Sequence, residues 1–347
     1  MEHNSRRALR APSIIIALFF IVAAALIPAS FLCENAYAEA DGESVYLGGM
    51  PIGIRMVSDG LIVVEYVGVI TKDGAKTPAL TAGIQKGDML TELNGRTLKE
   101  VTDISEAIGD SLSPMPYRLV RGTETVEGSV TPVTDIVTNS PKIGLMVKND
   151  VAGVGTVSFV KDDGRMCTLG HMISDGARDA SFFKKGSFYR CNILGVVKSA
   201  KNAPGALKGV FNRNGEAVGN IDSNSDYGVY GYLSDKSFVK DRPKVQIGNI
   251  SDVKPGKASV YTTLEGNSPS EYSVEIVKYE TQAKPEIKGL VLRVTDSVLL
   301  DKAAGIVQGM SGSPIVQNGK LVGAITHVFV NDPVYGYGIY AAWMSVQ

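Results

Sequence analysis

Short apolar runs separated by glycine recur along most of this chain of 347 residues, and they restrict its fold more than any other feature of the sequence. Residues 61–64, 193–197 and 321–325 are examples; each is about as long as one buried strand and too short for a core helix. The 38 glycines supply turns between such runs, and 44% hydrophobic residues are enough to fill cores. The sequence therefore predicts a mainly β protein, and its length predicts about two domains.

Charge and cysteine content exclude several functional classes. The 35 Lys and Arg against 36 Asp and Glu give a net charge of -1, so no positive field exists to hold a phosphate backbone, and we expect no nucleic-acid partner. The three cysteines, Cys33, Cys167 and Cys191, form no C-x-x-C pair and are too few for a disulfide framework. We therefore expect neither a metal site nor a cofactor.

The N-terminus carries a membrane-targeting signal. Arg6, Arg7 and Arg10 precede an uncharged run at 11–33, which is long enough for the roughly 20 residues that cross a bilayer as a helix. The Ala-Tyr-Ala sequence at 36–38 then matches a signal-peptidase site. The segment 1–40 is thus a signal peptide cleaved after Ala38 or a retained membrane anchor, and both alternatives place the rest of the chain outside the cytoplasm.

The first folded region is expected at 45–133. Its apolar runs predict strands, and the spacing of apolar residues at 101–108 predicts one short helix. Proline and polar residues at 131–141 indicate a linker. The second region, 134–347, contains further glycine-punctuated strands, and we expect it to be nearly all β.

Two glycine-containing segments characterise the first region. The sequence G-G-M-P-I-G-I at 48–54 places a glycine loop before a strand, an arrangement whose backbone N–H groups can hold a peptide carboxylate. The segment 82–95 ends on Asn94-Gly95, a strong hairpin signal. Together they resemble a PDZ domain of the bacterial protease-associated type, a small β-barrel with one or two helices. The resemblance implies that a peptide adds as an extra strand along three residues, Ile52, Gly53 and Ile54.

The sharpest motif is G-M-S-G-S-P at 309–314. A serine between glycines can sit on a tight turn that exposes its hydroxyl, and the N–H groups of Gly309 and Ser311 can then point at a developing oxyanion. The following residues, 315–323, predict a hairpin with its turn at Asn318-Gly319, the context found after the nucleophile of trypsin-like serine proteases. The sequence therefore predicts Ser311 as a nucleophile.

A serine nucleophile needs a base, and histidine is scarce in this chain. His3 lies in the targeting segment, which leaves His171 and His327. His171 ends an apolar run well before Ser311, at a separation similar to that of base and nucleophile in two-barrel serine proteases, so it is the predicted base. His327 lies on a strand expected to form a wall of the specificity pocket, where it contacts substrate or packs.

The acid that orients the base is less defined. Position between His171 and Ser311 favours Asp222 or Asp226, and the residues alone leave both open.

Three blocks of the chain closely resemble the stage IV sporulation protein B peptidases. These are L-G-H at 169–171, G-I-V-Q-G-M-S-G-S-P at 305–314 and T-H-V-F-V-N-D-P at 326–333. That family has the same order of membrane-targeting segment, PDZ domain and serine peptidase domain, which implies a trypsin-like double β-barrel at 134–347. It also has its orienting acid in a Thr-Asp pair upstream of the nucleophile, which implies Asp296 as the acid, with Asp226 as the alternative.

The resemblance implies a sporulation signalling peptidase. Such proteins are exported across the inner forespore membrane, cleave themselves in trans, and cut a regulator of an intramembrane metalloprotease complex, which activates processing of a late mother-cell sigma factor. We therefore expect a protein substrate, a second copy of the chain and the membrane as partners. One alternative is a non-catalytic PDZ scaffold, which an activated serine would exclude. The other is a general envelope quality-control protease, but in proteases of that kind the PDZ domain follows the peptidase domain.

Overall fold

Strands dominate the architecture, as the glycine-punctuated apolar runs predict. The computed structural model describes residues 42–174 and 182–347, and the predicted signal peptide or anchor at 1–40 lies outside the described residues. Among the described residues, no helix is both long enough and apolar enough to cross a bilayer. The prediction of a mainly β fold is confirmed.

The first part of the described chain contains eleven strands and two short helices. They are β1 (Ser44–Leu47), β2 (Pro51–Tyr66), β3 (Val69–Thr71), β4 (Gly74–Lys76), α1 (Pro78–Thr81), β5 (Met89–Leu93), β6 (Arg96–Thr97), α2 (Thr102–Ile108), β7 (Met115–Arg121), β8 (Glu124–Val130), β9 (Val133–Asp135), β10 (Ser140–Lys142) and β11 (Leu145–Val160).

The second part adds thirteen strands and two α-helices. They are β12 (Arg165–Thr168), β13 (Phe183–Arg190), β14 (Asn192–Val197), β15 (Ala206–Val210), β16 (Gly219–Ser225), β17 (Gly228–Leu233), β18 (Lys244–Ile247), β19 (Gly256–Thr262), β20 (Ser270–Tyr279), β21 (Leu290–Val294), α3 (Ser297–Ala303), β22 (Pro314–Gln317), β23 (Lys320–Val328), β24 (Tyr335–Tyr340) and α4 (Ala341–Ser345). Short 3-10 helices cover Lys236–Val239 and Ile250–Asp252.

Two sets of six strands each close on themselves as a barrel. In the first barrel the pairing runs β2, β11, β12, β17, β16, β13 and back to β2. In the second it runs β19, β20, β21, β24, β23, β22 and back to β19. Closure leaves few exposed edges, which suits a chain built of many short strands.

The long strands β2 and β11 continue out of the first barrel into a smaller module. Their far ends stay paired, since Leu145 lies opposite Tyr66. The chain between them folds around a separate apolar core that includes Leu61, Leu90 and Leu119. This inserted module contains the helix predicted at 101–108, seen as α2, and the predicted Asn94-Gly95 turn, where both residues have positive φ.

The residues predicted to form a peptide-binding groove belong to the first barrel instead. Ile52, Gly53 and Ile54 lie on the barrel half of β2, with β11 paired on one side and β13 on the other. Ile52 and Ile54 are buried in the core of that barrel. A strand with partners on both edges cannot accept a peptide as a further strand. The groove prediction for these three residues is therefore wrong, and the residues from 45 to about 58 do not belong to the inserted module.

Replacing Ile52 with alanine tests this placement. A fully buried isoleucine in a barrel core should cost about 2–5 kcal/mol of unfolding free energy when truncated. Val57 on the same strand is 39% exposed, so Val57→Ala should change stability by no more than about 0.5 kcal/mol. Denaturant unfolding of both variants measures the difference. Equal stability of the two variants would contradict the core position of Ile52.

Candidate active site

The loop that carries Ser311 connects α3 to β22 and depends on two glycines. Gly309 and Gly312 both have a φ of +94°, a conformation that favours glycine. A Cβ on Gly312 would lie 2.1 Å from the carbonyl oxygen of Thr156, so no larger residue fits. The motif therefore forms the predicted tight turn, and the predicted hairpin follows it as β22 and β23, with Asn318 and Gly319 at positive φ.

Two backbone N–H groups of this loop remain available to a ligand. Within residues 42–174 and 182–347, the amides of Gly309 and Ser311 have no hydrogen-bond acceptor, whereas their neighbours do: Met310 N–H donates to Val307 and Gly312 N–H to Ile325. These are the two amides predicted to hold an oxyanion. Donors kept free of protein partners are what such a site requires.

His171 lies just after β12, where the chain reverses. Leu169 and Gly170 before it both have positive φ, and Leu169 accepts that strained conformation while its side chain is buried. Nδ1 of His171 lies 2.8 Å from the carbonyl oxygen of Met172. A carbonyl can only accept, so Nδ1 carries the proton and Nε2 keeps its lone pair. Burial lowers the pKa of His171, although the Met172 carbonyl opposes that shift, so the neutral base persists at neutral pH.

His327 lies on β23 beside His171. The centroids of the two rings are 5.0 Å apart, with an angle of 40° between the planes. Burial, and then the charges of His171 and Lys288, lower the pKa of His327 to about 4. Its Nδ1 is buried and has no hydrogen-bond partner among the described residues. Two adjacent neutral imidazoles therefore face the cleft at neutral pH.

Ser311, His171 and His327 line one cleft of about 610 Å³ between the two barrels. The hydroxyl of Ser311 donates to the carbonyl oxygen of Thr326 at 2.8 Å, and not to an imidazole. A rotation of the Ser311 side chain is therefore needed before its proton can pass to a histidine. Hydrogen bonds at catalytic serines are often incomplete until substrate binds.

The predicted acids do not complete this group. One Asp296 carboxylate oxygen accepts the N–H groups of Val298 and Leu299, and the other accepts that of Ser273, so Asp296 caps α3. Asp226 is exposed in the turn between β16 and β17, and no hydrogen bond or ion pair joins it to His171 in the described chain. The structure thus does not bring Asp296 or Asp226 into contact with the base.

Asp222, the other acid that position favours, is also engaged elsewhere. Its carboxylate forms an ion pair with Arg165 at 2.6 Å. The carbonyl of Met172 therefore takes the place beside Nδ1 that an acid would occupy.

Substituting Asp296 distinguishes a helix cap from a triad acid. Asp296→Ala should lower the unfolding free energy by about 0.5–2 kcal/mol. Asp296→Asn keeps an oxygen for Val298 and Leu299 but loses the acceptor for Ser273, so it should lower stability less than alanine does and should retain kcat. Thermal unfolding and steady-state hydrolysis of a peptide measure the two effects. A loss in kcat of about 10⁴ in the asparagine variant, as for the acid of a Ser-His-Asp triad, would restore Asp296 to that role.

Sequence reasoning missed residues that hold the base and the nucleophile. Asn224 accepts the N–H of Ile173 and donates to the carbonyl oxygens of Ile173 and Phe183, which fixes the segment after His171. Thr326 accepts the Ser311 hydroxyl through its carbonyl. Asn224 lies between the two candidate acids Asp222 and Asp226, and its amide, which can both donate and accept, is the feature of the sequence that could have indicated this role.

Comparison with known proteins supports the same chemistry. The family model for the SpoIVB peptidase S55 matches residues 139–345, more than half of the chain. The comparison with curated proteins gives no match.

Solved structures with similarity include a PDZ domain and a protease. The PDZ domain of the SdrC-like protein from Listeria monocytogenes is 21% identical and covers 26% of this chain and 87% of its own, with a TM-score of 0.21. The Rv3671c protease in its inactive form is 15% identical, covering 56% of this chain and 82% of its own, with a TM-score of 0.33. The active form from M. tuberculosis is 14% identical, covering 57% and 73%, also with a TM-score of 0.33.

Proposed function

The chain belongs to the SpoIVB peptidase S55 family and is a serine endopeptidase, and from this we propose that it cuts a regulator of an intramembrane metalloprotease complex during spore formation. The proposal extends to cleavage of a second copy of the chain and to export across the inner forespore membrane. It also identifies the two closed barrels as a trypsin-like peptidase domain and the inserted module as a PDZ domain.

One observation carries the catalytic part of the proposal. Ser311 lies in one cleft with the neutral imidazole of His171, on a loop whose amides at Gly309 and Ser311 have no protein acceptor in the described residues. A nucleophile, a base with a free lone pair and two free N–H donors are the parts that acyl transfer needs. Each part follows from a local feature of the chain: glycine turns for the loop, and the Met172 carbonyl for the tautomer of His171.

The reaction proceeds through an acyl-enzyme. His171 Nε2 takes the Ser311 proton as Oγ attacks the peptide carbonyl, and the amides of Gly309 and Ser311 hold the resulting oxyanion. The imidazolium then protonates the leaving amine, and the C–N bond breaks. Water, deprotonated by the same imidazole, hydrolyses the acyl-enzyme and restores the Ser311 hydroxyl. A general base of this kind contributes about 10²–10⁴ in rate, and an oxyanion donor about 10²–10³.

A fluorophosphonate probe tests the catalytic part. Purified full-length wild-type chain should label on Ser311, because only an activated serine reacts, and peptide mapping by mass spectrometry locates the label. Absence of labelling, with a folded protein by circular dichroism, would contradict the peptidase assignment and favour a non-catalytic scaffold.

Co-expression with an intramembrane metalloprotease complex and its regulator tests the biological substrate. The wild-type chain should generate a new N-terminus in the regulator, found by mass spectrometry. If the chain labels with the probe but leaves the regulator intact, the signalling substrate is wrong while the peptidase assignment stands.

A further inference from the structure

The peptide unit between Met172 and Ile173 is hydrogen-bonded at both ends. Its carbonyl oxygen accepts the Nδ1 proton of His171 at 2.8 Å, and its N–H donates to Oδ1 of Asn224 at 2.9 Å. In a trans peptide these two groups point in opposite directions, so the peptide stands between the imidazole and the amide side chain. Asn224, on β16, is therefore joined to the catalytic base by two consecutive hydrogen bonds.

Three partners fix the orientation of the Asn224 amide. Besides accepting from the N–H of Ile173, it donates through Nδ2 to the carbonyl oxygens of Ile173 and Phe183, each at 3.0 Å. Carbonyl groups only accept, so the amide nitrogen has to face them and the amide oxygen has to face the N–H. A carboxylate in this place would lie against two carbonyl oxygens with no proton to offer. The surroundings therefore suit an amide and not an acid.

Hydrogen bonds that share one peptide unit strengthen each other. The bond from Ile173 N–H to Asn224 polarises the peptide, so the Met172 carbonyl oxygen carries more negative charge and accepts more strongly. When His171 takes the Ser311 proton, the imidazolium keeps its Nδ1–H bond to this oxygen, and a bond from a charged donor is stronger than one from a neutral donor. The polarised peptide thus stabilises the transition state more than the resting enzyme, which is the condition for catalysis.

Charged side chains do not take over this role in the cleft. Of the described residues that line it, none is Asp, Glu, Lys or Arg. The titratable group that faces His171 is His327 on β23, whose pKa of about 4 keeps it neutral at neutral pH. The charged residues next to Asn224 on β16 and in the turn after it, and next to Phe183 on β13, are exposed; they are Asp222, Asp226, Lys184 and Lys185. Peptide and amide dipoles therefore face the Nδ1 side of the imidazole.

We propose that Asn224 is a positioning residue for peptide hydrolysis, which orients the His171 imidazole and stabilises its protonated form through the Met172–Ile173 peptide. The proposal rests on the proposed function, in which His171 is the base for Ser311. Asn224, the peptide and the imidazole form a hydrogen-bond relay that occupies the place of an orienting acid. Because the Met172 carbonyl holds the Nδ1 proton even without Asn224, losing Asn224 should cost less than the roughly 10⁴-fold loss caused by the wrong tautomer in a Ser-His-Asp triad.

Asn224→Leu, with Asn220→Leu as its matched control, tests this role. Leucine fills a similar volume and removes all three hydrogen bonds, whereas Asn220 is exposed on the same strand. With a quenched-fluorescence peptide, kcat should fall about 10²-fold in Asn224→Leu, the effect of a misplaced base, while KM stays within about twofold. The Met172 bond raises the pKa of His171 against the effect of burial, so weakening that bond should move the acid limb of kcat/KM to lower pH. Asn220→Leu should keep the wild-type kcat and acid limb.

Asn224→Asp separates the relay from a structural role. Aspartate keeps an oxygen for the N–H of Ile173 and adds a negative charge, which raises the pKa of His171, so the acid limb should move to higher pH. If Asn224 only holds the local fold, both variants should lose kcat while the acid limb stays at its wild-type midpoint. That result would overturn the proposal.

NMR of the wild-type chain keeps the proposal testable if both variants unfold. Protonation of His171 should strengthen the relay, so the ¹⁵N shifts of the Ile173 N–H and of the Asn224 side-chain amide should titrate with the midpoint of the His171 ring. Amide shifts that stay constant through the His171 titration would overturn the relay. Failure of wild-type Ser311 to label with the fluorophosphonate probe would instead contradict the proposed function.

Discussion

Ser311→Ala should abolish peptide-bond hydrolysis by this chain, with a fall in kcat of about 10⁶, the size of effect that loss of a catalytic serine has in subtilisin. The reason is geometric: the Ser311 hydroxyl lies in the cleft with His171 and beside the free amides of Gly309 and Ser311. Alanine removes the attacking oxygen and leaves the glycine turns and both amides in place. Cleavage of a quenched peptide measures the loss, and mass spectrometry of the products of the proposed self-cleavage provides a second readout.

Ser313→Ala provides the matched control. Ser313 lies on the same loop and is fully buried, and its hydroxyl has no hydrogen-bond partner among the described residues, so its removal should leave kcat unchanged. Circular dichroism and thermal unfolding should show both variants folded. Continued self-cleavage by purified Ser311→Ala, free of wild-type protein, would disprove the assignment of the nucleophile.

The parts of the site that sequence alone could place are those set by local chemistry. Gly309 and Gly312 permit the positive φ of the nucleophile loop, and Asn318-Gly319 favours a two-residue hairpin turn. The loop and the hairpin after it therefore follow from a few adjacent residues. His171 could be found because the chain has three histidines in all and one of them lies in the predicted targeting segment. Bringing the base and the nucleophile into one cleft then required only that both barrels form.

What the sequence did not predict depends on pairing between distant segments. The apolar residues around Ile52 suit a groove strand and a barrel strand equally, and the choice is made by β13, more than 130 residues later. The prediction that Asp296 orients the base differs from the structure for another reason. An aspartate at the start of a helix satisfies backbone N–H groups, so its position near the nucleophile carries a structural role that spacing cannot distinguish from a catalytic one.

Removing the catalytic base should have the second large effect on kcat, and the identity of that base has to be decided because two imidazoles, His171 and His327, line the cleft. His171 has its Nδ1 proton fixed by the Met172 carbonyl, which leaves Nε2 as an oriented acceptor, whereas His327 has an unpartnered, buried Nδ1 among the described residues. Since burial lowers the pKa of His171 below its ordinary 6.5, the neutral form persists to lower pH. The acid limb of kcat/KM in the wild type should therefore have its midpoint below 6.5.

His171→Ala should lower kcat by about 10⁶, as much as loss of the serine, because base and nucleophile act as one unit. His327→Ala should change kcat/KM by at most about 10²-fold and in a substrate-dependent way, as expected of a residue that contacts the substrate. Hydrolysis of several peptides and the rate of fluorophosphonate labelling measure both variants, and His327→Ala is the control for disturbing the same cleft. If His327→Ala shows the large loss and His171→Ala the small one, His327 is the base, and the carbonyl of Met172 orients a residue that does not act on Ser311.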